Sequence, residues 1–236
     1  MKKHPLIFCA IDTQDLSQAL LLAREIGPIT RALKLGLEFF NSFGPQGVEA
    51  IQNAAPDAAL FLDLKVHDIP NTVAGAVSTI CKNFAPAYLN VHAGGGEAMM
   101  AAAKNACKGA SNGKTKLLAV TILTSLSQGE LSKIGYTGET ESDSVIRLAK
   151  LAQNAGLDGV VCSAHEITQL RKACGPDFET MVPGIRPAGS DTGDQKRVMT
   201  PHEAVQNGAT NLVIGRPITQ SPEPAKAAQE ILDSLS

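Results

Sequence analysis

The sequence has no tryptophan, and aromatic residues fill only 4% of its 236 positions, too few to build a base-stacking surface for nucleic acid. It also lacks a surplus of positive charge. Lys and Arg number 21 against 23 Asp and Glu, for a formal net charge of −2, so no global field draws in a phosphate backbone. An anionic ligand has to be met by a few local cations. No apolar run is long enough to span a bilayer. The opening MKKHPLIFCAIDTQD imitates a signal peptide, with two lysines ahead of an apolar stretch. Asp12 interrupts that stretch too early and no small-residue cleavage site follows, so the segment reads as a first buried strand. The cysteines (Cys9, Cys81, Cys107, Cys162 and Cys174) are odd in number, scattered and without a CxxC pair. They speak against a disulfide framework or a zinc site and for a reducing, cytoplasmic compartment. Cys9 and Cys162 lie in apolar strand-like runs and are expected to be buried, inert thiols.

Hydrophobic residues at 44% and charged residues at 19% describe an ordinary globular chain, of a length that suits one α/β barrel. Short apolar runs alternate with segments of helical period. The strand candidates are LIFCAI (6–11), ALKLGL (32–37), ALFLDLK (59–65), AYLNVH (87–92), KLLAVTIL (116–123), DGVVCS (158–163), TMVPGI (180–185) and TNLVIG (210–215). Helices are expected between them, among them DLSQALLLAREIG and GPQGVEAIQNAA. SDSVIRLAKLAQNAG has a Ser/Asp start and a Gly stop, and PHEAVQNG has Pro in its first turn. The segment PEPAKAAQEILDSL is expected to form a closing amphipathic helix. Eight strands each followed by a helix fit a closed (β/α)8 TIM barrel or a doubly wound open sheet. The count of eight and the absence of GxGxxG after the first strand favour the barrel, as a single domain over residues 1–236. HAGGGEA after the fourth strand lacks the Walker spacing and its lysine, and a tight turn explains it equally well.

Barrels of this kind collect chemistry at the carboxyl ends of their strands. At those positions the chain has Asp12, Lys34, Asp63 with Lys65, His92, Thr124 with Ser125, Pro183 leading to Arg186, and Gly215 with Arg216. The densest group is DLKVHDIPNT (63–72). Residues two apart on a strand share a face, so Asp63 and Lys65 project together while Leu62 and Leu64 face the helices. Lys34, flanked by leucines, points inward from the next strand. Two lysines and at least one aspartate are thus expected in one polar centre, with Asp68 arriving on the following loop. An ion-pair network that merely fills the barrel mouth is the plainer alternative, but buried pairs add little net stability. The loops after strands seven and eight commonly bind phosphate in barrels. There VPGIRPAGSDTGDQKRV (182–198) and VIGRPIT (213–219) supply two arginines, and GSDTGD suits a lid. The histidines lack metal-site spacing, no metal ligand set is expected, and His92 carries no assigned role.

DLKVHDIPNT resembles the D-x-K-x-x-D signature of the orotidine 5'-phosphate decarboxylase family, including the Ile-Pro and the following Thr. AIDT, LKLGLEFF, VHAGGG, VTILTS, VPGIRPAG, DQKRVMTP and IGRPIT extend the likeness over essentially the whole chain. The resemblance implies decarboxylation of orotidine 5'-phosphate to uridine 5'-phosphate in pyrimidine nucleotide synthesis, without metal or organic cofactor. It implies that Lys65 delivers a proton to C6, that Asp63 sits beside the departing carboxylate, and that Lys34 holds the aspartates and a ribose hydroxyl. Asp12 would bind the ribose and Thr124 the base. Gln195, Gly215, Arg216 and Arg186 would grip the phosphate, with Ile69 and Pro183 among the substrate contacts. Asp68 and Thr72 would cross to a neighbouring subunit's site, so the active unit would be a homodimer. The rivals are a magnesium-dependent sugar-phosphate decarboxylase or aldolase, which carries an acidic residue where this chain has Lys34, and a catalytically silent nucleotide-binding protein.

Overall fold

A strand that is apolar on both faces is buried only if something covers each face, and in a parallel sheet the crossover helices do so. The computed structural model describes residues 6–187 and 199–235. Its strands are β1 (Leu6–Ala10), β2 (Ala32–Gly36), β3 (Ala59–Val66), β4 (Tyr88–His92), β5 (Lys116–Val120), β6 (Gly159–Val161), β7 (Glu179–Val182) and β8 (Asn211–Ile214). All are parallel, in the order β1 to β8, and β8 pairs back onto β1 with Cys9 opposite Ile214. The closed (β/α)8 barrel expected from the alternation is the observed fold.

The described helices are α1 (Leu16–Thr30), α2 (Leu37–Ala54), α3 (Pro70–Phe84), α4 (Glu97–Ser111), α5 (Gln128–Lys133), α6 (Glu141–Asn154), α7 (Ile167–Cys174), α8 (Pro201–Gln206), α9 (Arg216–Thr219) and α10 (Pro224–Asp233). α1 shows why they form. Asp15 caps it by accepting from the N–H groups of Ser17 (2.8 Å) and Gln18 (3.1 Å), and it buries Ala19, Leu22, Ala23 and Ile26, one face of a 3.6-residue period. None of the described helices is long and apolar enough to cross a membrane.

The core has two layers. Between sheet and helices lie Ile7, Leu33, Leu62, Leu89, Leu117, Val160 and Leu212. Inside the barrel Phe8, Phe61 and Tyr88 meet edge-to-face with centroids 5.4–6.4 Å apart, beside Leu118, Met181 and Val213. The amino-terminal end is shut by polar contacts: Tyr88 Oη donates to Glu179 Oε2 at 2.6 Å, and Lys116 and Asn211 also bind that carboxylate.

Some boundaries move from the sequence expectation. β5 stops at Val120, where its pairing with β6 ends at Val161, so Thr124 and Ser125 lie on the loop beyond it. α2 begins at Leu37, well before GPQ, because two helical pieces abut at Gly44 in the left-handed region (φ 57°). α6 is capped by Thr140, whose side chain and that of Asp143 form a reciprocal capping box. α5 has no counterpart among the helices read from the sequence.

Candidate active site

With the amino-terminal end packed shut, the described cavity of interest opens at the carboxyl ends of the strands. It holds about 560 Å³ and is lined by Asp12, Lys34, Asp63, Pro183, Arg186, Gly215 and Arg216, a volume that suits a small ligand. One wall comes from β1, β2 and β3 and carries both signs of charge. The adjoining wall comes from the segments after β7 and β8, next to β1 in the closed barrel, and carries the arginines. Arg186 is buried and donates Nη1–H to the Ile185 carbonyl (2.9 Å). Arg216 is exposed at the start of α9.

On the charged wall, four side chains alternate in sign. Lys34 Nζ lies 3.2 Å from Asp12 Oδ1 and 3.4 Å from Asp63 Oδ2, and Lys65 Nζ lies 2.7 Å from Asp63 Oδ1. The inner pair, Lys34 and Asp63, is 9% and 13% exposed, whereas the ends, Asp12 and Lys65, are 44% and 27% exposed. The array therefore presents an anion at one end and a cation at the other. Lys65 donates Nζ–H to Asp63 Oδ1, and Asp63 lines the cavity. Burial by itself would raise the Asp63 carboxyl, but the ammoniums of Lys34 and Lys65 outweigh it and hold the pKa below the ordinary 3.8. Burial likewise opposes charge on Lys34, and the carboxylates of Asp63 and Asp12 overcome it, so its pKa stands above 10.5. Both groups stay ionised at neutral pH.

Two residues that make this array possible were not singled out from sequence. A Cβ on Gly36 would stand 2.8 Å from Lys34 Nζ and 3.0 Å from Asp12 Oδ1, so only glycine leaves the pair its place. A glycine inside an apolar strand, LKLGL, was the available signal. Asn90, fully buried on β4, donates Nδ2–H to Asp63 Oδ1 (2.7 Å) and accepts the Lys65 backbone N–H at Oδ1 (2.7 Å). Its signal was a polar residue amid the apolar AYLNVH. Glu38 and Gln220 also line the cavity.

Other expected site residues lie elsewhere. Asp68 does not enter the polar centre of its own chain. It is exposed at the turn into α3, and its carboxylate accepts the N–H of Ile69 (2.7 Å). Ile69 is 66% exposed and Thr72 is exposed with it. Thr124 is half-buried and is not among the residues lining the cavity. Gln195 and the GSDTGD stretch fall outside the described residues. His92 stacks near His67, with ring centroids 5.4 Å apart, and burial, then His67 and Lys65, lower its pKa. The five cysteines are free and buried. Burial pushes Cys9 up to about 12 and raises Cys162 as well, so both thiols are inert as expected.

A closed barrel with a charged cavity at the carboxyl ends of its strands defines a (β/α)8 protein with its candidate chemistry at the usual face. Residues 5–231 match the family described as Orotidine 5'-phosphate decarboxylase / HUMPS family, and the chain belongs to that family. It is 51% identical over 230 residues to an orotidine 5'-phosphate decarboxylase of Sphingopyxis alaskensis, covering 97% of this chain and 98% of the relative. It is 48% identical over 229 residues to the enzyme of that name from Pectobacterium carotovorum, covering 97% and 91%. Among solved structures, the orotidine 5'-phosphate decarboxylase of Lactobacillus acidophilus superposes with a TM-score of 0.84 at 33% identity, covering 99% of this chain and all of the other.

Proposed function

We propose that this chain is a carboxy-lyase that converts orotidine 5'-phosphate to uridine 5'-phosphate, with Lys65 as the proton donor and no metal or organic cofactor. The observation that carries the reading is the Asp12–Lys34–Asp63–Lys65 array sharing one cavity with two arginines. Family membership and relatives of that name at 51% and 48% identity support it.

The chemistry asks for such a site. As the C6–carboxylate bond breaks, its electron pair stays on a ring carbon with little resonance relief, and carbon dioxide leaves. A fixed ammonium about 4 Å from that charge contributes roughly 4 kcal/mol at an effective dielectric near 20, and a proton passed from Lys65 Nζ to C6 completes the product. Asp63 keeps the ammonium aligned before reaction, so little reorganisation is needed when the charge appears. Asp12 and Lys34 fit a ribose hydroxyl, and Thr124 is assigned to the base. Pro183, Arg186, Gly215 and Arg216, with Gln195, are assigned to the phosphate end, where guanidinium forks suit phosphate oxygens.

A second copy of the chain completes this reading. Asp68, Ile69 and Thr72 turn away from their own centre and are exposed, as expected of side chains that serve a neighbouring site in a homodimer. Free, buried cysteines support a cytoplasmic setting. The magnesium-dependent rival is disfavoured by charge: the Lys34 ammonium stands between Asp12 and Asp63, where it would repel a divalent cation.

The test is turnover of orotidine 5'-phosphate in excess chelator, followed by the ultraviolet change on loss of the carboxylate. Conversion is expected. Failure to convert, with activity appearing on a sugar phosphate plus magnesium, would move the chain to the rival. At the phosphate end, Arg216→Ala is expected to raise KM and the Kd for uridine 5'-phosphate about 10- to 100-fold, the worth of a charge-assisted hydrogen bond. Binding of uridine, which has no phosphate, should not change. Unaltered nucleotide binding in this variant would show that the phosphate lies elsewhere.

A further inference from the structure

β3 does not run straight into the site. It pairs with β4 at Leu62 opposite Leu89 and again at Val66 opposite Val91. Three residues of β3, from Asp63 to Lys65, therefore stand against Asn90 alone. A bulge of this kind takes backbone groups out of the ladder and re-aims side chains. Near its end the backbone turns left-handed, with Lys65 at φ 49°, a conformation in which the Cβ of a non-glycine residue crowds its own backbone and which the surroundings must hold in place.

Asn90 supplies that hold. The Lys65 N–H, taken out of the ladder, donates to Asn90 Oδ1 at 2.7 Å. The same amide donates from Nδ2 to Asp63 Oδ1 at 2.7 Å, the oxygen that also receives the Lys65 ammonium at 2.7 Å. The amide has one usable orientation, because a backbone N–H only donates and a carboxylate only accepts. One fully buried side chain thus ties the backbone of Lys65 to the carboxylate that holds its ammonium. The bond from Asn90 also helps to keep Asp63 ionised, after the larger effects of Lys34 and Lys65.

We infer that Asn90 is a positioning residue of this site: it holds the left-handed turn at Lys65 and fixes the Asp63 oxygen that aims the ammonium. Its catalytic consequence rests on the decarboxylase reading, whereas the placing of Lys65 is a property of the fold. Asn90 does not line the cavity, so its loss should act on the chemical step and not on substrate binding. Two replacements separate its two bonds. Alanine removes both. Aspartate keeps an acceptor for the Lys65 N–H but sets a second carboxylate against Asp63, and facing carboxylates retain a proton well above the ordinary range.

The experiment compares the full-length wild type, Asn90→Ala and Asn90→Asp by steady-state kinetics across pH and by amide hydrogen exchange at Lys65. In Asn90→Ala, kcat is expected to fall about 10- to 100-fold while KM stays within about threefold, as for loss of a hydrogen bond to a charged group. The Lys65 amide should exchange about 10-fold faster or more, with Phe61 and Leu89 still protected. In Asn90→Asp that amide should stay protected, and the acid limb of kcat/KM should move up by about one pH unit or more. Wild-type kcat, or unchanged Lys65 exchange, in folded Asn90→Ala would overturn the inference. Should the alanine variant not fold, an unmoved acid limb in Asn90→Asp would overturn it. A wild type that does not convert orotidine 5'-phosphate would remove the decarboxylase reading alone, and Lys65 exchange would still decide whether Asn90 places the lysine.

Discussion

Lys65→Ala is expected to lower kcat/KM for orotidine 5'-phosphate on the order of 10⁵-fold while uridine 5'-phosphate still binds within about threefold of the wild-type Kd. Two separate effects are lost together. A positioned proton donor contributes about 10²- to 10⁴-fold. A cation about 4 Å from the developing carbanion contributes roughly 4 kcal/mol, close to 10³-fold. The two overlap, because one ammonium supplies both, so the product of the two factors is an upper limit. Binding survives because the phosphate end of the cavity, with Arg186, Gly215 and Arg216, is left untouched. The fold should survive too, since the Lys65 side chain is 27% exposed and ends the array. Turnover within tenfold of the wild type would refute Lys65 as the proton donor, and loss of nucleotide binding would mean that the lysine holds the ligand.

Lys34→Met is expected to destabilise the protein by about 3–5 kcal/mol at pH 7, the usual cost of stripping one partner from a buried pair. Methionine keeps much of the apolar stem, so the loss reports the charge. For a chain of this size that is about 10 °C in melting temperature. The pH dependence gives a sharper signature. In the wild type, Asp63 titrates below 3.8 and Lys34 above 10.5. The Asp63 contribution is present above about 3.8 and is lost as pH falls through its lower folded value. The Lys34 contribution is present below about 10.5 and is lost as pH rises through its higher folded value. Without Lys34, burial of Asp63 is opposed only by Lys65 and the weaker hydrogen bond from Asn90, and its pKa climbs. A raised carboxylate penalises the folded state at neutral pH, and protonation relieves the penalty. The gap in melting temperature between wild type and variant should therefore narrow as pH drops from 7 towards 4. Melts that differ by under 1 °C at pH 7 would show that the array contributes nothing to the fold.

Much of this architecture is legible along the chain because its causes are local. Apolar runs such as ALFLDLK declare strands by length and composition, Asp15 announces a helix start through its own hydrogen bonds, and Pro201 marks the first turn of another helix. The spacing of Asp63 and Lys65 already implies a shared face, and LKLGL already implies an inward lysine. The family signature then joins those fragments in one order. Misplaced boundaries also have local causes: Gly44 joins the GPQGVEAIQNAA helix to an earlier helical piece not read from the sequence, and the apolar TIL after Val120 looks like strand although its pairing partner has ended.

Other features depend on which strands become neighbours. Asn90 lies 25 residues beyond Lys65, and only the β3–β4 register sets it against the bulge. The left-handed backbone at Lys65 has no mark in the sequence, since lysine does not favour it. Gly36 matters because Asp12 and Lys34 meet beside it from two different strands. Asp68 and Thr72 are exposed, while α3 buries Val73, Val77, Cys81 and Phe84 instead. Residue types and their periods fixed the elements and the chemistry available, because propensity, capping and alternation act within a few residues. Closure of the barrel chose the partners, the register and the one open end, because those are set by contacts between segments far apart in the chain.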